Sequence, residues 1–188
     1  MKNVAIFASG SGTNAENIAR YFSKSETVKV AVVLSNNKNV GVHDRVNKLG
    51  IPSFVFSRDE FVEGTPILAK LAEYQIDLIV LAGFMNKISD ALLGAYPGKI
   101  INIHPALLPK HGGKGMYGMH VHEAVVAAGE KESGITIHYI NENYDEGDII
   151  FQATCEVLPA DTAEEVATKV HALEYAHYPH VIEEVLGN

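Results

Sequence analysis

The chain has 188 residues, a formal net charge of -8 at pH 7 and a hydrophobic fraction of 47%. This length is enough to bury one hydrophobic core, so we expect a single domain over residues 1–188. The acidic charge and the lack of a basic stripe argue against binding to nucleic acid, which requires clustered Lys and Arg to neutralise phosphates.

The first apolar run, residues 4–8, breaks at Gly10 and is too short for a signal peptide, so we expect a buried strand. No later stretch has the length of a membrane span. Cys155 is the only cysteine, which excludes an intrachain disulfide and fits a reducing compartment. These features predict a cytoplasmic protein that does not bind membranes.

Short runs rich in Val and Ile alternate with helical patterns through the first part of the chain. We predict strands in these runs, at 4–8, 28–34, 53–56, 78–82 and 100–103. This order predicts a Rossmann-like α/β fold with an open, mostly parallel, doubly wound sheet. Two later runs, 134–140 and 149–156, predict a late antiparallel strand pair. Asp161 and Thr162 then cap a long amphipathic helix.

A glycine-rich turn at 9–14 connects the first predicted strand to the first helix. Backbone N–H groups at the start of a helix bind anions, so the turn predicts a phosphate site. With Ala15 it matches the dinucleotide pattern G-x-G-x-x-A, but the second strand ends at 34–37 without the carboxylate that binds ribose. A P-loop is also disfavoured, because no Gly-Lys-Ser/Thr follows. A ligand with one phosphate fits best, and a tight turn without a ligand is the alternative.

Asn102 and His104 lie at the end of the fifth predicted strand. Residues two apart in a strand point to the same face. Unpaired polar groups there would cost about 1–3 kcal/mol each, so the two side chains need hydrogen-bond partners or a catalytic role. An amide and an imidazole on one face can stabilise the oxyanion formed at an acyl carbon. The alternative is a core histidine beside an asparagine that ties down the loop.

The segment 141–148 carries four carboxylates between two predicted strands. It differs from a calcium loop, since its glycine is one residue late and Gln152 occupies the place of the terminal Glu. We predict that Asp145 reaches His104, favours its imidazolium form and fixes its orientation. The other carboxylates fit a solvated turn.

The remaining histidines and the cysteine are expected to be structural. His111, His120 and His122 share no cysteine or carboxylate at the spacing of metal ligands, so we predict a helix start there and no metal. His138 fits either the cleft or the core. Cys155 lies inside an apolar strand, which favours burial over a nucleophilic role.

Taken in chain order, these motifs resemble the phosphoribosylglycinamide formyltransferase family over nearly the whole chain. The matching segments are Ser-Gly-Ser-Gly-Thr-Asn at 9–14, Ala-Gly-Phe-Met at 82–85, Asn-Ile-His-Pro at 102–105, Leu-Leu-Pro at 107–109, Asp-Glu-Gly at 145–147 and Glu-Tyr-Ala-His-Tyr-Pro at 174–179. The resemblance implies a formyltransferase fold and no metal. It also implies transfer of a formyl group from 10-formyltetrahydrofolate to the amine of N1-(5-phosphoribosyl)glycinamide in de novo purine (IMP) biosynthesis.

The resemblance implies three groups of site residues. The catalytic set is Asn102, His104 and Asp145, in which Asn102 and His104 stabilise a tetrahedral intermediate and Asp145 tunes His104. The residues expected to contact phosphoribosylglycinamide are Gly12, Thr13, Asn14, Ala15, Glu16 and Glu174. The residues expected to contact folate are Met85, Asn86, Lys87, Ile88 and Asn102. The expected partners are small-molecule substrates only, and the protein is expected to be a monomer or a homodimer.

Three positions depart from the family pattern. Asn86 stands in place of the arginine that follows Ala-Gly-Phe-Met, and Gly64 stands in place of a second arginine, which affects contacts to the glutamate tail of folate. The loop at 111–119 is longer and richer in glycine than usual and fits a mobile flap.

Other functions remain as alternatives. A formyltetrahydrofolate deformylase usually carries an extra N-terminal domain, and a methionyl-tRNA formyltransferase usually carries an extra C-terminal domain. Neither extra domain is expected here, because we predict a single domain. The acidic charge also disfavours tRNA. A non-catalytic phosphate- or nucleotide-binding module would leave Asn102 and His104 without a purpose.

Overall fold

One seven-stranded sheet forms the centre of the computed structural model, which describes residues 1–187. The strands are β1 (Lys2–Phe7), β2 (Val28–Ser35), β3 (Ser53–Val55), β4 (Leu78–Leu81), β5 (Ile100–His104), β6 (Glu132–Tyr139) and β7 (Ile149–Glu156). Their order across the sheet is β3-β2-β1-β4-β5-β6-β7. β1 to β5 pair in parallel, whereas β6 is antiparallel to both β5 and β7. The predicted fold class, a mostly parallel sheet with a late antiparallel pair, is confirmed.

Helices flank the sheet and follow most of its strands. They are α1 (Thr13–Tyr21), α2 (Val42–Asn47), α3 (Arg58–Glu63), α4 (Thr65–Glu73), α5 (Asp90–Ala95), α6 (Met119–Ala127) and α7 (Ala163–Gly187), with a short 3-10 helix at Phe22–Lys24. Within residues 1–187, no helix combines the length and the apolar character needed to cross a membrane.

The alternation of side chains along β1 explains why both faces of the sheet are covered. Val4 and Ile6 pack into a core shared with α1, α2, α6 and α7, whereas Ala5 and Phe7 pack into a second core shared with α3, α4 and α5. All four side chains are fully buried. A parallel strand buried on both faces needs an unbroken apolar sequence, and this is the pattern found in β1.

The long helix α7 is fixed at its start and near its middle. Thr162 and Glu165 form a capping box: the Glu165 N–H donates to Thr162 Oγ1 (3.2 Å), and the Thr162 N–H donates to the Glu165 carboxylate (2.7 Å). Further along, the buried Tyr178 hydroxyl donates to the carbonyl oxygen of Leu81 (2.9 Å) at the end of β4. α7 is therefore anchored to the sheet edge where the polar loops meet.

Candidate active site

A cavity of about 610 Å³ opens at the carboxyl ends of β1, β4 and β5. A cavity of this size accommodates small organic substrates. Its lining comes from the segments 10–14, 83–88, 102–105, 113–118, 140–141 and 143–145, together with Leu81, His122, His171 and Glu174. In an open parallel sheet these strand ends are where ligands bind. The cavity is therefore the candidate active site.

The structure brings together the three residues predicted to be catalytic. Asn102 and His104 project from the same face of β5, and Asp145 approaches from the loop between β6 and β7. Asp145 Oδ2 lies 3.6 Å from His104 Nδ1. His104 is only 3% exposed, so a carboxylate at this distance is screened weakly by water. Its charge can offset the positive charge that the ring gains on protonation.

The hydrogen bond at the other ring nitrogen determines the tautomer of His104. His104 Nε2 lies 2.8 Å from the backbone carbonyl oxygen of His111. A carbonyl oxygen only accepts, so Nε2 carries the hydrogen and donates it. In the neutral ring Nδ1 is therefore unprotonated. Nδ1, which lies beside Asp145, is the ring nitrogen that is not bonded to the backbone.

A second histidine orients Asn102. His138 lies directly opposite Asn102 in the antiparallel pairing of β5 and β6. Its Nδ1 donates to the carbonyl oxygen of Tyr139 (3.0 Å), which leaves Nε2 to accept from Asn102 Nδ2 (3.2 Å). Burial lowers the pKa of His138, which keeps this ring neutral. The second N–H of Asn102 remains available to a ligand.

The sequence allowed His138 to lie either in the cleft or in the core, and the structure places it in the core. His138 is fully buried behind Asn102, and it lies 3.6 Å from Asp145 Oδ1 through its Nε2. The side chain thus supports the site from the core. Strand periodicity places it on one face of β6, but the register against β5, which makes it a partner of Asn102, involves residues 36 positions apart.

The backbone of the acidic loop holds Asp145 in place. Asp145 adopts a positive φ of 53°, a conformation that aspartate tolerates better than most residues. Its Oδ2 accepts a hydrogen bond of 2.9 Å from the Gly113 N–H. At Gly147 a Cβ atom would collide with the carbonyl oxygen of Tyr139, so only glycine fits there. Backbone geometry thus explains why aspartate and glycine occupy the first and last positions of the Asp-Glu-Gly sequence.

The glycine-rich turn forms one end of the cavity. Gly12 precedes α1 with φ +77°, and a Cβ atom there would collide with Val42. Glycine is therefore required at this position. Gly12, Thr13 and Asn14 line the cavity, and the first N–H groups of α1 have no acceptor within the helix itself. This end suits an anion.

Two of the predicted substrate contacts lie outside the cavity lining. The side chain of Ala15 is fully buried in the core beneath α1. Glu16 accepts hydrogen bonds from Arg20 (2.8 Å) and Arg45 (2.6 Å), which are also ion pairs, and these bonds lower its pKa. A role for either residue in substrate binding stays a prediction.

Buried polar atoms cluster beside the glycine turn. Asn14 Nδ2 donates to Glu174 Oε2 (3.4 Å), and Glu174 is 9% exposed. Asn14 Oδ1 and His122 Nδ1 are buried without a hydrogen-bond partner among the described residues. Burial raises the pKa of Glu174 to about 7 and lowers that of His122 to about 4. Buried polar atoms of this kind are well suited to bind a polar ligand.

The raised pKa of Glu174 gives a stability prediction. Between the ordinary value of 4.5 and about 7, folded Glu174 holds a proton that the unfolded chain has released. The contribution of the protonated Glu174 to the free energy of unfolding is complete below pH 4.5 and is lost as the pH rises through about 7. Glu174→Gln does not titrate, so it should gain up to about 3 kcal/mol of unfolding free energy relative to wild type across this range.

Urea unfolding at about pH 5 and about pH 8 measures this difference. Glu164→Gln is the control, because Glu164 is exposed on the same helix. All other ionisable groups are the same in both proteins, so only the difference between variant and wild type reports Glu174. A difference that does not change with pH would contradict the prediction.

The segment predicted to bind folate lies at another part of the cavity. Met85, Asn86 and Lys87 are exposed along its wall, and Ile88 is buried beneath them. The Met85 N–H donates to Ser9 Oγ (3.0 Å) from the glycine turn. This wall and the phosphate end of the cavity are therefore connected.

The departures from the family pattern also have defined places. Gly64, with φ +80°, lies between α3 and α4 and does not line the cavity. Lys87 and Lys114 do line it, and Lys114 belongs to the glycine-rich segment 113–118. These lysines supply positive charge along the cavity wall.

The remaining histidines and the cysteine do not form a metal site in the part of the chain that the structure describes. His120 is exposed in the first turn of α6, and His122, two residues further along, is buried on the other side of the helix; the predicted helix start lies here. Cys155 is half-buried in β7, and burial raises the pKa of its thiol. The prediction that no metal is needed stays a prediction.

Comparisons with known proteins agree with this geometry. A family model described as "Formyl transferase" matches residues 2–182. The phosphoribosylglycinamide formyltransferase of Bacillus subtilis (strain 168) is 38% identical over 192 residues, which covers 100% of this chain and 96% of that protein. The chloroplastic phosphoribosylglycinamide formyltransferase of Arabidopsis thaliana is 38% identical over 96% of this chain. The chain spans 64% of the length of that plant relative.

A solved structure gives the same result for the fold. The crystal structure of phosphoribosylglycinamide formyltransferase from Bacillus halodurans superposes with a TM-score of 0.89 at 38% sequence identity. The superposition covers 98% of this chain and 95% of that one.

Proposed function

The chain belongs to the formyl transferase family, and from this premise we propose that it transfers the formyl group of 10-formyltetrahydrofolate to the amine of N1-(5-phosphoribosyl)glycinamide in de novo purine biosynthesis. One observation supports this most directly. A single cavity contains a helix N-terminus suited to a phosphate and, beside it, Asn102, His104 and Asp145. A formyl acceptor with a phosphate at its other end requires this combination.

The hydrogen bonds of the three polar residues suggest their roles. The attacking amine turns the formyl carbon tetrahedral, and negative charge develops on the formyl oxygen. The second N–H of Asn102 and a protonated His104 Nδ1 are the donors for that oxygen. His104 Nδ1–H then protonates the folate nitrogen as its bond to the formyl carbon breaks, and Nδ1 regains the proton that the attacking amine loses. Asp145, 3.6 Å from Nδ1, offsets the charge on the ring throughout.

The rest of the cavity is assigned to the ends of the two substrates. The turn at Gly12, Thr13 and Asn14 binds the phosphate through backbone N–H groups, Ala15 and Glu16 continue this segment in α1, and Glu174 accepts from the ribose hydroxyls. The folate lies along Met85, Asn86, Lys87, Ile88 and Asn102. We further propose one domain over 1–188, a cytoplasmic location, and no partner other than these small molecules and a second copy of the chain.

Formyl transfer measured with and without the ribonucleotide tests this function. The purified protein is incubated with 10-formyltetrahydrofolate, and formylated ribonucleotide, tetrahydrofolate and formate are quantified. The proposal requires formylated product that depends on the amine substrate. Formate release without the amine would instead indicate a deformylase. Binding of the ribonucleotide without any turnover would indicate a non-catalytic module.

A further inference from the structure

We propose that His111 and Glu130 are positioning residues, which clamp the loop after β5 so that the backbone carbonyl of His111 fixes the orientation and tautomer of His104. The proposal deepens the proposed function and depends on it, since it concerns the same catalytic ring. Neither side chain lines the 610 Å³ cavity. Both therefore act on the chemistry only through His104.

Two consecutive contacts connect Glu130 to the catalytic ring, and a third holds the neighbouring Lys110. Glu130, in the turn between α6 and β6, has its Oε1 3.0 Å from His111 Nε2. The carbonyl oxygen of the same His111 accepts the hydrogen bond of 2.8 Å from His104 Nε2. Lys110 adds an ion pair of 3.3 Å to the other oxygen of Glu130. The carboxylate thus holds two successive residues of the loop.

The backbone of His111 shows why a clamp is needed. His111 has a φ of +54°, in the left-handed region that is uncommon for residues other than glycine, although His, Asn and Asp adopt it more often than most. Such a conformation persists only where surrounding contacts impose it. The next residue, Gly112, packs closely against Leu108, since a Cβ atom there would lie 2.5 Å from Leu108 Cδ2. The pair between His111 and Glu130 supplies a side-chain contact at the strained residue itself.

The first half of the loop is anchored differently. The Leu108 N–H donates to Thr136 Oγ1 (3.0 Å), and the Thr136 hydroxyl donates to the Ala106 carbonyl oxygen (2.7 Å). These buried bonds fix residues 106–108 on β6 whatever happens at Glu130. Loss of the Glu130 contact should therefore release residues 110–111 locally and leave the fold intact.

The expected consequence is a loss of turnover without a loss of binding. If His111 relaxes from its left-handed conformation, its carbonyl oxygen moves and His104 Nε2–H loses its acceptor. The ring can then change tautomer or rotate, and Nδ1 no longer faces Asp145. Misplacement of a catalytic group by a fraction of an ångström to 1 Å costs about 10- to 100-fold in rate. We expect kcat to fall by about tenfold or more, with both KM values within about twofold of wild type.

Kinetics of four variants, together with NMR, test the clamp. Glu130→Gln removes the charge, and His111→Leu removes the donor. His111→Gln places an amide N–H near the position of Nε2 and should recover most of the lost kcat. Glu123→Gln is the matched control, because Glu123 forms an exposed ion pair of 3.6 Å with His120 on the neighbouring α6. This control should keep wild-type kinetics.

Imidazole 15N NMR reports His104 without any need for activity. At a pH high enough for the ring to be neutral, wild type should show the tautomer with hydrogen on Nε2, whereas Glu130→Gln and His111→Leu should show a mixture. Wild-type kcat in both variants, or a lower kcat with an unchanged His104 tautomer, would overturn the proposal. An inactive wild type that still shows the tautomer change in the variants would tell against the proposed function and not against the clamp.

Discussion

Replacing His104 by Ala is expected to lower kcat for formyl transfer by about a thousandfold. The buried ring is held at both nitrogens, by the His111 carbonyl at Nε2 and by Asp145 near Nδ1. Its removal deletes both a donor for the oxyanion and the acid for the departing nitrogen. It also leaves the two groups that surround the ring without their partner.

His104→Gln separates chemistry from packing at this position. The amide N–H of glutamine can still donate to the His111 carbonyl oxygen, but no atom replaces Nδ1. We therefore expect His104→Gln to keep the folded structure and to lose kcat nearly as completely as His104→Ala. Single-turnover kinetics, alongside thermal unfolding of each variant, measure both effects.

His120→Ala is the matched control for these substitutions. The side chain of His120 is 63% exposed on α6, where it pairs with Glu123, and it does not line the cavity. This variant should retain wild-type turnover. A His104→Gln enzyme with wild-type kcat would contradict the assignment of Nδ1 as the reacting nitrogen.

The main elements of the fold and the catalytic face could be predicted because they depend on local periodicity. Apolar runs identified the strands, including β7, whose predicted and observed limits coincide at 149–156. The two-residue spacing of Asn102 and His104 placed both on the cavity side of β5. Such patterns are determined by the geometry of a single strand and do not require knowledge of its neighbours.

The contacts that orient these side chains could not be predicted, because they join distant parts of the chain. The bond between His138 and Asn102 depends on strand register, and that between Asn14 and Glu174 joins residues 160 positions apart. The carbonyl of His111 depends on a left-handed backbone conformation that the residue type does not indicate.

The directions of the side chains at the start of α1 could not be predicted from the glycine turn alone. Ala15 and Glu16 follow the glycine turn directly in sequence, but successive side chains of a helix are rotated by about 100°. Ala15 therefore points into the core, and Glu16 points toward Arg45. Adjacency in sequence indicates shared backbone position, and it does not indicate a shared direction of side chains.

Asp145→Asn is expected to lower kcat by about a hundredfold or more, with smaller changes in KM. Asparagine tolerates the positive φ of 53° at this position and keeps an oxygen that accepts from the Gly113 N–H. The substitution therefore removes the negative charge beside His104 Nδ1 and little else. Steady-state kinetics with both substrates measure the loss. Asp148→Asn, at an exposed position of the same loop, is the control and should retain full turnover.

The double variant His104→Gln with Asp145→Asn tests whether the charge acts through the ring. If Asp145 serves mainly to offset the charge on protonated His104, its replacement should cost little once Nδ1 is gone. The double variant should then be about as slow as His104→Gln alone, and the two losses should not multiply. Multiplied losses would show that Asp145 has its own contact with the reacting groups, independent of the 3.6 Å approach to Nδ1. Wild-type turnover in Asp145→Asn would contradict both possibilities.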